Sequence, residues 1–126
     1  MIKIDWQSGV PAYDQIVQGM IKMRRVGAFK AGDNAPSVRS LAVTLGVNPN
    51  TVQKAYQILE SKGVLYSVAG KGSFFSDDEK ANAVIFDEAI KKLNIAVDEA
   101  IRMGLDLETV LIAIKQRYEQ GGNKND

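Results

Sequence analysis

Cysteine and histidine are both missing from the 126 residues. Without Cys there is no disulfide and no thiol chemistry, which fits a reducing cytoplasm as the expected location. Without His the chain lacks the commonest general base and the commonest transition-metal ligand. Apolar runs are short: none approaches the roughly 20 residues that span a bilayer. The start, MIKIDWQSGV, lacks the apolar core of a secretion signal, so neither membrane insertion nor export is expected. Nucleotide chemistry fares no better. GKGS at residues 70–73 has Gly72 where a phosphate loop needs Ser or Thr after its Lys, and no Gly stands five residues before Lys71. The adjacent acids Asp77, Asp78 and Glu79 would point in different directions on a helix start, which suits a solvated cap better than a metal site. No enzyme class, metal or cofactor is therefore expected.

What is present is an ordinary globular composition, 45% hydrophobic and 25% charged, with a net charge of only +1. The charge is unevenly placed. Residues 1–76 carry nine Lys/Arg against four Asp/Glu, and residues 77–126 carry seven against eleven. A basic first part joined to an acidic second part predicts two tasks, with any anion binding in the first.

Periodicity supplies the elements. Ile2, Ile4 and Trp6 alternate with polar residues, which predicts a short strand or arm. Tyr13, Ile16, Val17, Met20 and Ile21 predict a helix from about Pro11 to Gly27. After the breakers of FKAGDNAP, Ser37 can cap a short helix carrying Val38, Leu41, Ala42 and Leu45 and closed by Gly46. Asn48 caps the next helix, with Pro49 at its first position, where a missing N–H costs nothing. Its stripe of Val52, Ala55, Tyr56 and Leu59 faces a core. Two strands, 64–68 and 73–76, flank the turn AGKG. Ser76 and Glu79 fit a capping box for a helix reaching about Met103. Asp106 caps a last helix, and residues 121–126 read as a disordered tail.

The fold class expected is mainly α with a small β-hairpin, divided as a winged helix-turn-helix domain over 1–76 and a two-helix dimerisation segment over 77–120. Two helices joined by a very short Gly-containing turn are arranged so that the second can enter a DNA major groove. With the apolar stripe inward, Asn50, Thr51, Gln53 and Lys54 face outward at the helix start, where spare amides favour phosphate. Asn and Gln can grip the adenine N6/N7 edge, and Thr can meet a thymine methyl. Lys71 at the hairpin tip makes that hairpin a wing, and Arg39 points toward a flanking phosphate.

PAYDQI, the run APSVRSLAVTLGVNPNTVQKAYQILESKGVLY, and GKGSFF resemble the winged helix-turn-helix domain of the GntR family of bacterial transcription regulators. The short C-terminal part is similar to the YtrA-type branch, which lacks a large effector domain. The resemblance implies a homodimer on a pseudo-palindromic double-stranded operator, often repressing its own operon, commonly one for an ABC-type membrane transporter. It places DNA contacts on Arg39 of the P-S-x-R motif, on Asn48, Asn50, Thr51 and Gln53 of the reading helix, and on Gly70 of the wing, to which the residues themselves add Ser37, Lys54 and Lys71. Ala35, Gln53 and Ala69 depart from the common Leu, Arg and basic residues of relatives. Replacing Arg by Gln moves the expected base preference from guanine toward adenine. The apolar faces of the last two helices, Phe86, Ile90, Leu93, Val97 and Ile101 on one and Leu107, Val110, Leu111, Ile114 and Tyr118 on the other, need a partner and are assigned to dimerisation. A small-molecule effector at that interface has no recognisable sequence signal. The competing reading is a winged-helix module that binds another protein without operator specificity.

Overall fold

The computed structural model describes residues 2–124, with side chains up to Gly121. Its elements run α1 (Ala12–Arg25), α2 (Val38–Leu45), α3 (Pro49–Ser61), β1 (Leu65–Val68), β2 (Gly72–Phe75), α4 (Glu79–Arg102) and α5 (Leu107–Lys124). Two compact units are distinguished, residues 1–83 and 84–126.

In the first unit the core sits where the three helices meet the hairpin. Ile16 and Met20 from α1, Val52 and Leu59 from α3, and Phe75 from β2 are sealed from solvent. Burying side chains of this size contributes about 1.5–3 kcal/mol each, which is what holds three short helices together. Phe75 also stacks on Phe29, ring centres 4.6 Å apart, so the loop after α1 is fastened to the sheet.

Local chemistry sets the helix ends. The Ser37 hydroxyl accepts from the Ser40 amide at 3.1 Å, and Asn48 Oδ1 accepts from the Asn50 amide at 2.8 Å. Between them Gly46 adopts φ 69°, the left-handed conformation that lets the chain leave α2 and enter α3 within three residues. A Cβ at Gly46 would meet nothing within 4 Å, so the cost of a side chain there is backbone strain alone. Gly46→Ala is therefore expected to destabilise the first unit by about 1 kcal/mol, and Gly46→Asn by less, because Asn tolerates this region. Urea unfolding followed by helix signal checks both; equal stability for Ala and Gly would contradict the stated geometry.

Several details differ from the sequence reading. Residues 2–6 form no strand. Instead the Gln15 side chain takes the place of a strand partner, accepting from the Asp5 amide at 2.8 Å and donating to the Asp5 and Val10 carbonyls at 2.9 Å. The first helix spans Ala12–Arg25, with Pro11 outside it as N-cap. Residues 32–35 run beside β2, with Ala35 donating to the Ser73 carbonyl and Phe75 to the Asp33 carbonyl, which adds a bridge at Asn34 to the hairpin. Ser76 does not cap α4: Asp78 does, accepting from the Ala81 amide at 3.1 Å, while Ser76 holds the Asp78 amide.

The second unit is different in kind. None of the described side chains of α4 is buried, and among the residues of α5 whose side chains are described Val110, Ile114 and Gly121 are half-covered and the rest exposed. The two helices touch each other little among the described residues. Asp106 caps α5 as the sequence indicates, accepting from Thr109, whose hydroxyl and amide hold the Asp106 carboxyl below its ordinary pKa. The helix continues to Lys124, so residues 121–124 are helical where a disordered tail is expected; residues 125 and 126 lie outside the described part. No described helix is long and apolar enough to cross a membrane.

Candidate nucleic-acid interface

The exposed face of α3 is built by its buried one. Val52, Ala55, Tyr56 and Leu59 are all at most 4% exposed, which turns Asn50, Gln53, Lys54 and Gln57 to solvent on the opposite side. Thr51 is half-covered and stands at the edge of that surface. Gln57, one turn beyond Gln53, lengthens the polar strip; the sequence reading stopped short of it, although its i+4 spacing from Gln53 is a usable signal.

Asn48 and Asn50 are not equivalent. Asn48 Oδ1 is engaged in capping, so its amide Nδ2 is the freer group for an outside partner. Asn50 and Gln53 keep both ends of their amides on an exposed face, and each can offer the donor–acceptor pair that an adenine edge requires. Ser37 likewise uses its oxygen as an acceptor in capping and retains its O–H for donation. Arg39, in the first turn of α2, is exposed.

Two hydrogen bonds lock this surface to its surroundings. The Tyr56 hydroxyl donates to the Pro36 carbonyl at 2.6 Å, joining α3 to the segment that leads into Ser37 and Arg39. Burial pushes the Tyr56 phenol up to about 12, so the hydroxyl keeps its proton and stays a donor throughout the physiological range. At the other end of α3 the Ser67 hydroxyl donates to the Glu60 carboxylate, tying β1 to the helix. The sequence reading missed both, because the partners of the first are twenty residues apart and neither pair has a local pattern.

The wing projects from this frame. Leu65 pairs with Phe75 and Val68 with Gly72 in an antiparallel register. The tip is closed by the Lys71 amide donating to the Val68 carbonyl at 2.9 Å, with Gly70 at φ 76°. That conformation at the third turn position calls for Gly, and it leaves Lys71 exposed at the end of the hairpin. Tyr66 stacks on Phe74 across the strands, centroids 5.8 Å apart, so Phe74 belongs to the wing surface while Phe75 belongs to the core.

The residues assigned to dimerisation form an open surface. Phe86, Ile90 and Leu93 are 40–46% exposed, Leu107 72% and Tyr118 78%, with Val97, Val110 and Ile114 half-covered. Ile95, Leu105 and Ile112, which the sequence reading left out, are exposed as well. Large apolar side chains exposed in this number are unusual for a face that meets only water.

Comparison with known proteins gives this geometry its context. Residues 12–75 match the family "Bacterial regulatory proteins, gntR family". Over its full length the chain is 39% identical to the HTH-type transcriptional repressor YtrA of Bacillus subtilis (strain 168), covering all of both chains. Its structure is similar to that of a transcriptional antiterminator from Listeria monocytogenes EGD-e, with a TM-score of 0.77, 33% identity, and coverage of 93% of this chain and 89% of the other. The DNA-binding domain of AraR, solved in complex with operator ORX1, matches with a TM-score of 0.56 and 27% identity, covering 59% of this chain and 94% of that one.

Proposed function

This chain belongs to the GntR family of bacterial regulatory proteins, a DNA-binding transcription regulator similar to YtrA and not an enzyme, and from that premise we propose that it acts in the cytoplasm as a homodimeric repressor. Each subunit lays α3 in the major groove of one half of a pseudo-palindromic operator. The observation that carries this reading is the split character of α3, apolar and sealed on one side, amide-rich and open on the other.

Asn50 and Gln53 read bases, with Thr51 at the edge of the contact and Asn48 contributing its free amide. Ser37, Arg39 and Lys54 hold phosphates on either side of the groove, and Gly70 and Lys71 bring the wing to the backbone beside it. A two-fold dimer through α4 and α5 sets the two reading helices about one DNA turn apart, roughly 10 bp or a multiple. The gene set is the protein's own operon, of the kind that encodes a membrane transporter.

A gel shift with the DNA upstream of its own gene tests this directly. Arg39, Lys54 and Lys71 supply three cations per subunit, so the dimer neutralises about six phosphates and log K should fall with log salt at a slope of roughly −5. A slope near zero, or equal binding to unrelated DNA, would rule out operator-specific repression.

A further inference from the structure

One contact on the DNA-facing side is not explained by folding alone. The Lys54 ammonium lies 3.9 Å from the centre of the Tyr13 ring. Lys54 is exposed on α3, and Tyr13, half-buried, stands in the first turn of α1, the helix against which α3 packs. A tyrosine face attracts a cation through its quadrupole, and the attraction holds one of the most flexible side chains in a narrow range of positions.

The direction in which it is held matters. On a helix of 3.6 residues per turn, neighbouring side chains diverge by about 100°. Gln53 and Lys54 therefore leave α3 about 100° apart, so with Gln53 turned to base edges Lys54 is turned to a wall of the groove, and α1 lies on the Lys54 side. A helix in a groove meets base edges along its middle and sugar–phosphate backbones at its flanks. The ring covers one side of the ammonium and leaves N–H donors free for an anion.

We propose that Tyr13 is a positioning residue for DNA binding: its ring holds the Lys54 ammonium on the α1 flank of the reading helix, ready for a backbone phosphate and turned away from the bases. This rests on the operator-binding reading above. It assigns Lys54 to affinity, not to sequence choice, and gives the first turn of α1 a part in an interface that α1 does not itself enter.

The test is a double-mutant cycle, read by fluorescence anisotropy on the full chain with an upstream duplex and a scrambled one. Lys54→Met should weaken both duplexes by a similar factor and lower the salt slope of each subunit by about 1. Tyr13→Leu should weaken both by about two- to fivefold per subunit, and by nothing further once Lys54→Met is present. Tyr13→Phe, which keeps the ring face, should bind like the parent. In the free protein the methylene protons beside the Lys54 ammonium should be shifted upfield by the ring, an NMR signature that Tyr13→Leu removes and Tyr13→Phe retains.

Equal losses from Tyr13→Leu with and without Lys54 would overturn the proposal, since Tyr13 would then act through folding or its own DNA contact. So would a Phe variant as weak as the Leu variant. If the parent protein binds the upstream duplex selectively, either result removes this inference and leaves operator binding standing; if it binds no DNA, both fall.

Discussion

Replacing Ile90 and Leu93 together by Asp is expected to leave the winged unit folded and to convert the protein to monomers that hold DNA 10²- to 10⁴-fold more weakly. The two side chains lie on the apolar stripe of α4, each less than half exposed in a single chain whose α4 has no buried residue. An isolated helix of this kind draws little stability from propensity, so the stripe must be covered by something. In the proposed homodimer a second copy covers it, because the same face is available on both and a two-fold axis closes the assembly. Two carboxylates per subunit placed in that seam would have to lose water without a partner, at several kcal/mol each. The core of residues 1–83, centred on Ile16, Met20, Val52, Leu59 and Phe75, does not include these positions, so α1, α2 and α3 should survive. The loss of affinity follows from linkage: with the subunits parted, the second half-site is no longer met at high local concentration. Light scattering on the eluting protein gives the mass, and circular dichroism checks the winged unit. A double variant that keeps a dimeric mass would place the dimer contact elsewhere.

What could be read in advance from the residues was what is local. Ser37 and Asn48 announce two helix starts by chemistry confined to three or four positions, and both cap as expected. The stripe Val52, Ala55, Tyr56 and Leu59 is a spacing argument, and it fixes the orientation of α3 without knowledge of its neighbours. Ser76 shows the limit of such signals. Its spacing to Glu79 satisfies a capping box, yet Asp78, two residues nearer the helix, is the better placed acceptor and takes the role. Contacts between distant segments left no trace in the pattern. Ile2, Ile4 and Trp6 alternate like a strand, but a strand needs a partner edge, and the Gln15 side chain fills that place for one residue only. The Tyr56–Pro36 bond, the bridge at Asn34 and the Lys54–Tyr13 contact likewise depend on where helices and loops settle against each other. The helix starts and the exposed face of α3 were legible; the bonds between distant segments were not.

The choice of bases should be governed by Gln53 above all. Asn48 spends its carbonyl oxygen on the Asn50 amide, which compromises the paired donor and acceptor needed for a two-point grip on adenine. Gln53 has no such duty, sits a full turn into α3, and is exposed. Gln53→Ala is expected to cost about 1–3 kcal/mol at each half-site, and twice that across a symmetric dimer, with the loss confined to the base pair it reads. Asn50→Ala should behave alike at a neighbouring pair, and because the two contacts address different bases their costs should nearly add. Gln53→Arg carries the argument further. A guanidinium has donors only, so it should reject the adenine edge and favour guanine O6 and N7 at the same position, reversing the preference rather than erasing it. Competition among duplexes carrying each of the four pairs at every operator position resolves the cases. Loss spread evenly over all positions would mean that Gln53 touches phosphate. An unchanged preference in both variants would mean that α3 does not read bases through this face, and that sequence is being sensed through the shape of the duplex instead.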